Sequence, residues 1–382
     1  MAEQGDELTR LRTELDELDR RVLATAARRN EVVHRIATAK ARTAGGRPLF
    51  DRDRERGVYE RANAVALEVG LSPQLAHQLM QALVQSSHGI QEQVSRQAAV
   101  AVAAEMVTRF LIVGGHGGMG RLLGRELAAR GHHVDVLELD DGRDRAQAVR
   151  EAEIVIVAVP MEVARSVVHE IGPHVRPEAL LCDINSLKQS TCEAMAQRCR
   201  AEAIGMHPMF GPTIHSLRRQ KVIVCPVKPG PRTAWLRQEL QQMGLELIET
   251  DPATHDRMMA VIQVLVHFST LVMGEALRRT GASVEDSLRF TSPIYRLELA
   301  FVGRLFAQNP SLYAEIEMTN PYGDEVRRCF LDAAEAINRT IASGDREAFY
   351  KMFDGVSRYF KQFAGEAMHL SDFIIDTMVT QP

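Results

Sequence analysis

The chain has 382 residues, a formal charge of −4 and 45% hydrophobic content. That length holds two or three domains of ordinary globular composition, and the weak charge gives no reason to bind nucleic acid or an anionic membrane. Five cysteines, at 182, 192, 199, 225 and 329, show no C-x-x-C pair or metal spacing, so reduced packing thiols, a cytoplasmic protein and no metal are expected. The start, MAEQGDELTR, is polar and acidic, unlike a signal peptide. No apolar run reads as long enough to span a membrane.

Leu8, Leu11, Leu15, Leu18 and Val22 step by three and four, and Val32 and Ile36 resume the phase. This predicts one long helix over residues 7–42 with a coiled-coil-like seam. After Gly45-Gly46 and Pro48 a second helix is expected over 51–68. A third, started by Ser72-Pro73, is expected from 74 to about 94. Arg29 falls in the seam, and a guanidinium there needs an anion. Lys40, three turns on, shares its face. Arg12 lies well round the helix and reaches the same site only from another helix, such as a dimer partner's. Arg54 and Glu55 on the second helix, with Ser87 and Gln91 at i and i+4 on the third, are further candidates. For any one of them a solvated helix face is the plain alternative; the seam position of Arg29 is harder to explain that way.

The segments L-T-R-L-R, A-R-R-N, the K of A-T-A-K, R-P-L-F-D-R-D-R-E-R and S-x-x-x-Q resemble the all-helical chorismate mutase family over residues 8–91. The resemblance implies an intertwined homodimer. It implies that Arg12 (from the partner), Arg29, Arg54 and Ser87 bind carboxylates. Lys40 and Gln91 would bond the ether oxygen, while Glu55 and the backbone at Asp51 would meet the C4 substituent. The loop 41–46 reads about two residues longer than in familiar members. The implied rearrangement of chorismate to prephenate is pericyclic. It needs a compact conformer and donors where charge grows on the ether oxygen, not a nucleophile. Gln91 is a neutral donor, so neutral pH suits it.

Residues 96–108, rich in Ala and Val, read as a linker or an extension of the third helix. Then Phe110 to Val113 suit a buried strand, Gly115, Gly117 and Gly120 form G-x-G-x-x-G, and Met119, Leu122, Leu123, Leu127 and Ala128 follow at helical spacing. Strand, glycine turn and helix are the setting in which this motif binds a dinucleotide. Gly118 and Met119 in the turn, with Val159-Pro160 ending a later strand, are counted as cofactor contacts. Glu138 ends the next strand, placed for a ribose hydroxyl. It would repel a 2′-phosphate, so NAD is favoured; Arg143 and Arg145 keep NADP open.

Strands are expected at 154–159, 180–184, 203–206 and 221–227, alternating with helices as in a doubly wound sheet. Ser186, Lys188 and His207 then sit just past strand ends, where such sheets bind ligands. A neutral His207 suits removal of a hydroxyl proton, with Ser186 orienting its ring. From 251 onward the pattern is helical, over 255–275, 284–290, 295–307, 323–343 and 346–377. Arg296 and Arg304 lie within roughly 80° of one helix face, each able to hold a carboxylate.

G-M-H-P-M-F-G-P, T-S-P-I-Y-R-L-E-L-A-F-V-G-R-L-F-A-Q and H-D-R-M-M-A-V-I-Q resemble prephenate dehydrogenase over about residues 109–370. The resemblance implies that His207 is the catalytic histidine on the C4 hydroxyl, with Ser186 beside it. It makes Arg304 the main carboxylate ligand, supported by Arg296, Lys188 and His267, and it implies inhibition by tyrosine at the prephenate site. The whole chain thus resembles the fused chorismate mutase–prephenate dehydrogenase family. The expected architecture is multidomain: all-α mutase helices over 1–95, a linker over 96–108, an α/β Rossmann domain over 109–250, and an all-α dimerisation and substrate domain over 251–382. Thr213-Ile214-His215 and Asn185 depart from the family pattern, which admits a C4-amino substrate as an alternative. A non-catalytic NAD sensor is the competing class.

Overall fold

The computed structural model describes residues 2–41, 52–102, 107–138, 140–214 and 216–380. Asp51, the loop after Ala41 and His215 lie outside the described residues. The chain divides into two compact units, Met1–Thr108 with Arg125–His133, and Arg109–Gly124 with Val134–Pro382.

Three helices build the first unit: α1 (Ala2–Ala41), α2 (Arg52–Glu68) and α3 (Pro73–Val102). The third outruns its expected end, so residues 96–102 are helix rather than linker. Nothing in Gln97-Ala98-Ala99-Val100-Ala101-Val102 breaks a helix. The carboxyl half of α1 packs on α3 and buries Val33 and Ala37. Its amino half leaves the seam Leu8, Leu11, Leu15, Leu18 and Val22 about half exposed in the single chain.

After these helices the chain runs through β1 (Arg109–Val113), α4 (Gly118–Ala129), β2 (His133–Leu137), α5 (Arg145–Glu151), β3 (Ile154–Val157), α6 (Met161–Ile171), β4 (Leu180–Asp183), α7 (Gln189–Arg198), β5 (Glu202–Pro208), β6 (Lys221–Lys228), α8 (Pro231–Gln242) and β7 (Glu246–Glu249), most of it in the second unit. The seven strands lie in the order β2-β1-β3-β4-β5-β6-β7. From β1 to β5 the pairing is parallel; β6 runs antiparallel to β5, and β7 parallel to β6. The sheet is therefore mixed, with a reversed edge. The continuous apolar runs of β1, β3 and β4 are buried throughout, as a sheet covered on both faces requires. One face packs Leu111, Val113, Val155, Val157 and Leu181 against Val149, Ala164, Val168 and Met195 of α5, α6 and α7. β5 extends through Pro208, and His207 pairs with Ile223 of β6. His207 is thus inside a strand, not beyond it, because the antiparallel partner prolongs the ladder.

Helices complete the unit. α9 (Pro252–Met259) runs through a π-helical segment (Ala260–Leu265) into α10 (Val266–Thr280). Then come α11 (Val284–Arg289), α12 (Pro293–Phe306), α13 (Pro310–Thr319), α14 (Gly323–Ser343), α15 (Arg346–Phe360) and α16 (Ala364–Thr380). α13 escaped the sequence reading, although Asn309-Pro310 is a proper start: Asn309 Oδ1 accepts the Ser311 N–H at 3.0 Å. The helix Pro252–Thr280 is long and apolar enough to cross a bilayer by length and composition, which corrects the sequence reading. Polar residues at 255–257, 263 and 267 interrupt its apolar runs and hid it. Met258, Val261, Ile262, Val266 and Met273 on it are exposed, and a patch of this kind marks an interaction surface. A charge placed there by Ile262→Asp is expected to lower the mass of the assembly in light scattering; an unchanged mass would show that this face joins no copies.

Candidate active sites

In the first unit the site forms where α1, α2 and α3 meet. Arg29 Nη1 donates to Ser87 Oγ at 2.5 Å and to the Leu83 carbonyl at 2.9 Å. The guanidinium is half-buried, and burial lowers its pKa. Asn30 Nδ2 donates to Ser86 Oγ at 3.1 Å. On the far side Glu55 Oε1 lies 2.8 Å from His88 Nε2. Gln91 Oε1 is buried and unpartnered, one helical turn beyond Ser87. Arg29 and Ser87 thus meet directly, while Glu55 is held by His88 and Gln91 lies a turn beyond Ser87. Lys40 is half-buried on α1, and Arg54 is exposed beside Glu55. Arg12 is exposed on the amino half of α1, seventeen residues from Arg29 and so about 25 Å along the helix. It does not join the cluster within one chain. His88 escaped the sequence reading, although it adjoins Ser87 and lies one turn from Gln91.

The cofactor cradle belongs to the second unit. Gly114, which the motif reading left out, turns the chain with φ +81°, and a Cβ there would stand 2.8 Å from the Ala158 carbonyl. At Gly120 a Cβ would lie 2.7 Å from Gly115 Cα, so only glycine lets α4 sit against the turn. These contacts leave the backbone N–H groups at the start of α4 clear for an anion. Pro212, from the loop after β5, closes over Gly118; a Cβ there would meet its ring at 2.9 Å. Glu138 reaches across the turn and accepts the His116 N–H at 2.7 Å, which sets its carboxylate beside the cradle, as a ribose diol requires. Arg143 donates to Asp135 at 2.9 Å, to Asp141 at 2.8 Å and to the Val136 carbonyl. Arg145 pairs with Glu170 at 2.8 Å. Both cations pair with carboxylates, and Glu138 stands beside the cradle, so these residues fit NAD.

Three buried side chains, His207, His255 and Asp256, form a chain. His207 is 4% exposed, and its Nδ1 lies 2.9 Å from His255 Nε2. His255 Nδ1 lies 2.7 Å from Asp256 Oδ1. A carboxylate accepts only, so His255 donates from Nδ1 and accepts at Nε2. His207 then donates from Nδ1, and its Nε2 keeps a free lone pair, the tautomer a base needs. Asp256 also accepts the N–H groups of Lys188 at 2.8 Å and Gln189 at 2.9 Å. Burial, with His255 and Lys188 nearby, holds the His207 pKa well below its usual value, so the ring is neutral. His255 and Asp256 escaped the sequence reading; the signal was an adjacent His-Asp just behind the helix start Asp251-Pro252. Ser186 makes no hydrogen bond to His207 among the described residues, so His255 orients that ring.

Lys188 also departs from its expected role as a substrate ligand. It is fully buried; Nζ pairs with Asp183 and donates to the Met206 carbonyl at 2.8 Å. Its short chain reach is consumed beneath β5, where Gly205 leaves room for it. It supports the site from below. His267 is half-buried on α10, edge-on to Tyr313 at 4.9 Å, and Arg296 and Arg304 are exposed on α12. Among the described residues no group of three or more His, Cys, Asp or Glu is arranged to hold a metal.

Fold and site together define an NAD-dependent dehydrogenase joined to a three-helix module. Residues 11–92 match chorismate mutase type II, 92–248 the nucleotide-binding domain of prephenate dehydrogenase, and 251–355 its dimerisation domain. The T-protein of Haemophilus influenzae is 30% identical over 364 residues, 94% of this chain and 95% of that one. The T-protein of Enterobacter agglomerans is 32% identical over 359 residues, 94% of each. The fold of the dehydrogenase half is that of A. aeolicus prephenate dehydrogenase, solved with hydroxyphenyl propionate and NAD+ (TM-score 0.53, 17% identity, 69% of this chain and 98% of that one). The chain belongs to the T-protein family, in which a chorismate mutase domain precedes a prephenate dehydrogenase.

Two outcomes follow from this geometry. His255→Asn should lower the dehydrogenase kcat by about 100-fold and leave the mutase rate unchanged; equal losses in both assays would show a general structural role. Lys188→Met strands a buried carboxylate and should cost about 3–5 kcal/mol in denaturant unfolding of the second unit; a cost below about 1 kcal/mol would contradict the pairing.

Proposed function

We propose that the first unit rearranges chorismate to prephenate and that the second oxidises prephenate to 4-hydroxyphenylpyruvate, on the route to tyrosine. The observation that carries this is the presence, in one chain, of the Arg29–Ser87 cluster and of the Asp256–His255–His207 chain beside a dinucleotide cradle.

In the mutase site Arg12 from a second copy, Arg29, Arg54 and Ser87 hold carboxylates. Lys40 and Gln91 face the ether oxygen, and Glu55, held by His88, meets the C4 hydroxyl. Their charges and amide dipole are fixed before the bond breaks, which is where such a reaction gains its rate.

In the dehydrogenase site Arg304, Arg296 and His267 hold the substrate carboxylates. Bound NAD, in the cradle of Gly115, Gly117, Gly118, Met119 and Gly120 with Glu138, Val159 and Pro160, supplies the acceptor for the C4 hydride. His207 Nε2 takes the C4 hydroxyl proton as the carbonyl forms. Carbon dioxide then leaves C1, its bonding pair aromatises the ring, and His207 returns the proton to the phenol oxygen. The proton count closes. Asp256, through His255, steadies the positive charge on His207 meanwhile. We place the protein in the cytoplasm as a homodimer, with tyrosine competing at the prephenate site. The intact set Arg12, Arg29, Lys40, Arg54, Gln91 and His207 favours this reading over a non-catalytic sensor.

Arg29→Ala should abolish prephenate formation and spare NAD reduction from added prephenate. His207→Asn should do the reverse. Loss of both activities by either change in a folded protein would overturn the two-site reading. Because His207 is neutral well below pH 6.5, kcat should stay flat from about pH 6 to 8 and fall only in acid.

A further inference from the structure

Between α6, the start of α7 and the end of α13 lies a cavity of about 480 Å³, a size that suits a small molecule. Neither His207 nor the glycines of the cofactor turn line it. Asn185, Thr191 and Asp256 are its buried members, and Met161, Ala164, Leu187 and Pro321 give it an apolar side. Asn185 is 8% exposed; its Nδ2 donates to the Val159 carbonyl at 2.8 Å, and its Oδ1 has no hydrogen-bond partner. Gln189, the first residue of α7, also lines the cavity, and its Oε1 is likewise buried without a donor. A packing role does not explain two amide oxygens left unmade beside one cavity, since apolar side chains would fill the place without the desolvation cost.

The charge of the lining points the same way. Glu162 of α6, Glu193 of α7, Glu315 of α13 and Asp256 of α9 line the cavity, against one cation, Arg165. Asp256 is answered by the N–H groups of Lys188 and Gln189 and by His255, and Glu193 accepts from Gln197 Nε2 at 3.1 Å. Among the described residues Glu162, Glu315 and Arg165 enter no ion pair. The acids stand on separate helices and form no metal-type cluster among those residues. A single compact cation therefore does not suit them; positive groups held apart do.

We propose that this cavity binds an aliphatic polyamine, a chain of methylenes carrying two or more ammonium groups. Each ammonium has three N–H donors and no acceptor, which meets the needs of Asn185 Oδ1 and Gln189 Oε1. The distance between ammonium groups matches carboxylates set on different helices. The methylenes lie on Met161, Ala164, Leu187 and Pro321, as the stem of a lysine lies on apolar surface. An anion meets the wrong charge here, and an amino acid brings a carboxylate that Arg165 alone among these side chains can pair.

The site lies behind two loops of the dehydrogenase. Asn185 holds the carbonyl of Val159, and Asp256 holds His255. A bound polyamine thus rests against the side chains that fix both, without meeting His207 or the glycine turn. Its binding does not depend on which substrate the second unit oxidises.

The test is calorimetric titration of the full chain at low salt with spermidine, putrescine and butylamine, and separately with phenylalanine. Spermidine should bind tightest, and butylamine at least about tenfold more weakly, having lost the ion pairs of the further ammonium groups. Glu162→Gln and Glu315→Gln should each weaken spermidine about fivefold, the effect of one exposed ion pair, with both enzyme activities unchanged as the folding control. Asn185→Leu, which removes the buried acceptor, should weaken it by a similar factor. No binding of spermidine to the wild type, equal affinity for butylamine, or an affinity that neither glutamate change moves overturns the site. Phenylalanine bound in preference to the polyamines overturns it as well. The wild-type ranking decides even if a variant fails to fold.

Discussion

The dehydrogenase half hangs on one carboxylate. Asp256 accepts the first N–H groups of α7, from Lys188 and Gln189, and the Nδ1 proton of His255. A helix N-terminus has unmade donors and a partial positive charge, and Asp256 answers both from another helix. Its own backbone is tied in turn, since its carbonyl accepts from Asn320 at 2.9 Å. The same atoms that dock α9 on α7 therefore set the tautomer of His255 and, through it, that of His207. Packing and proton chemistry cannot be altered separately at this point.

Below that joint lies a second buried charge pair, Lys188 with Asp183. Asp183 is wholly enclosed, and desolvation alone would push its carboxyl upward; Lys188 and Thr191 oppose this. Fixed charges under a strand shape the potential above it. Lys188 is one reason a proton sits poorly on His207, and Asp256 is the reason that a proton, once taken, can be held. The His207 ring is thus poised between a cation beneath and a carboxylate two rings away.

The fold was legible where local pattern and tertiary role agree. The strand–glycine–helix run of 110–124 and the three helices of the mutase module have that character, because their apolar spacing is also their packing. Candidate site residues stood out where a motif announces them, as with His207 or Arg29. They were hidden where partnership is made in space. His255 reads as one helical histidine among thirteen until β5 brings His207 to it. Lys188 reads as a polar residue beyond a strand, yet the fold turns it inward to Asp183. The reversed edge of the sheet was hidden for a related reason: a strand's direction is decided by its connection, not by its composition.

The pairing of Arg143 has a bearing on redesign. Its guanidinium is clasped by Asp135 and Asp141 in front of the second strand, and that grip holds the Asp141 carboxyl down at about 2. Exchanging Glu138 for a small neutral residue would remove the repulsion toward a phosphorylated ribose but leave Arg143 held by its aspartates. A swap of nucleotide preference would have to start by dismantling the clasp, at Asp135 and Asp141.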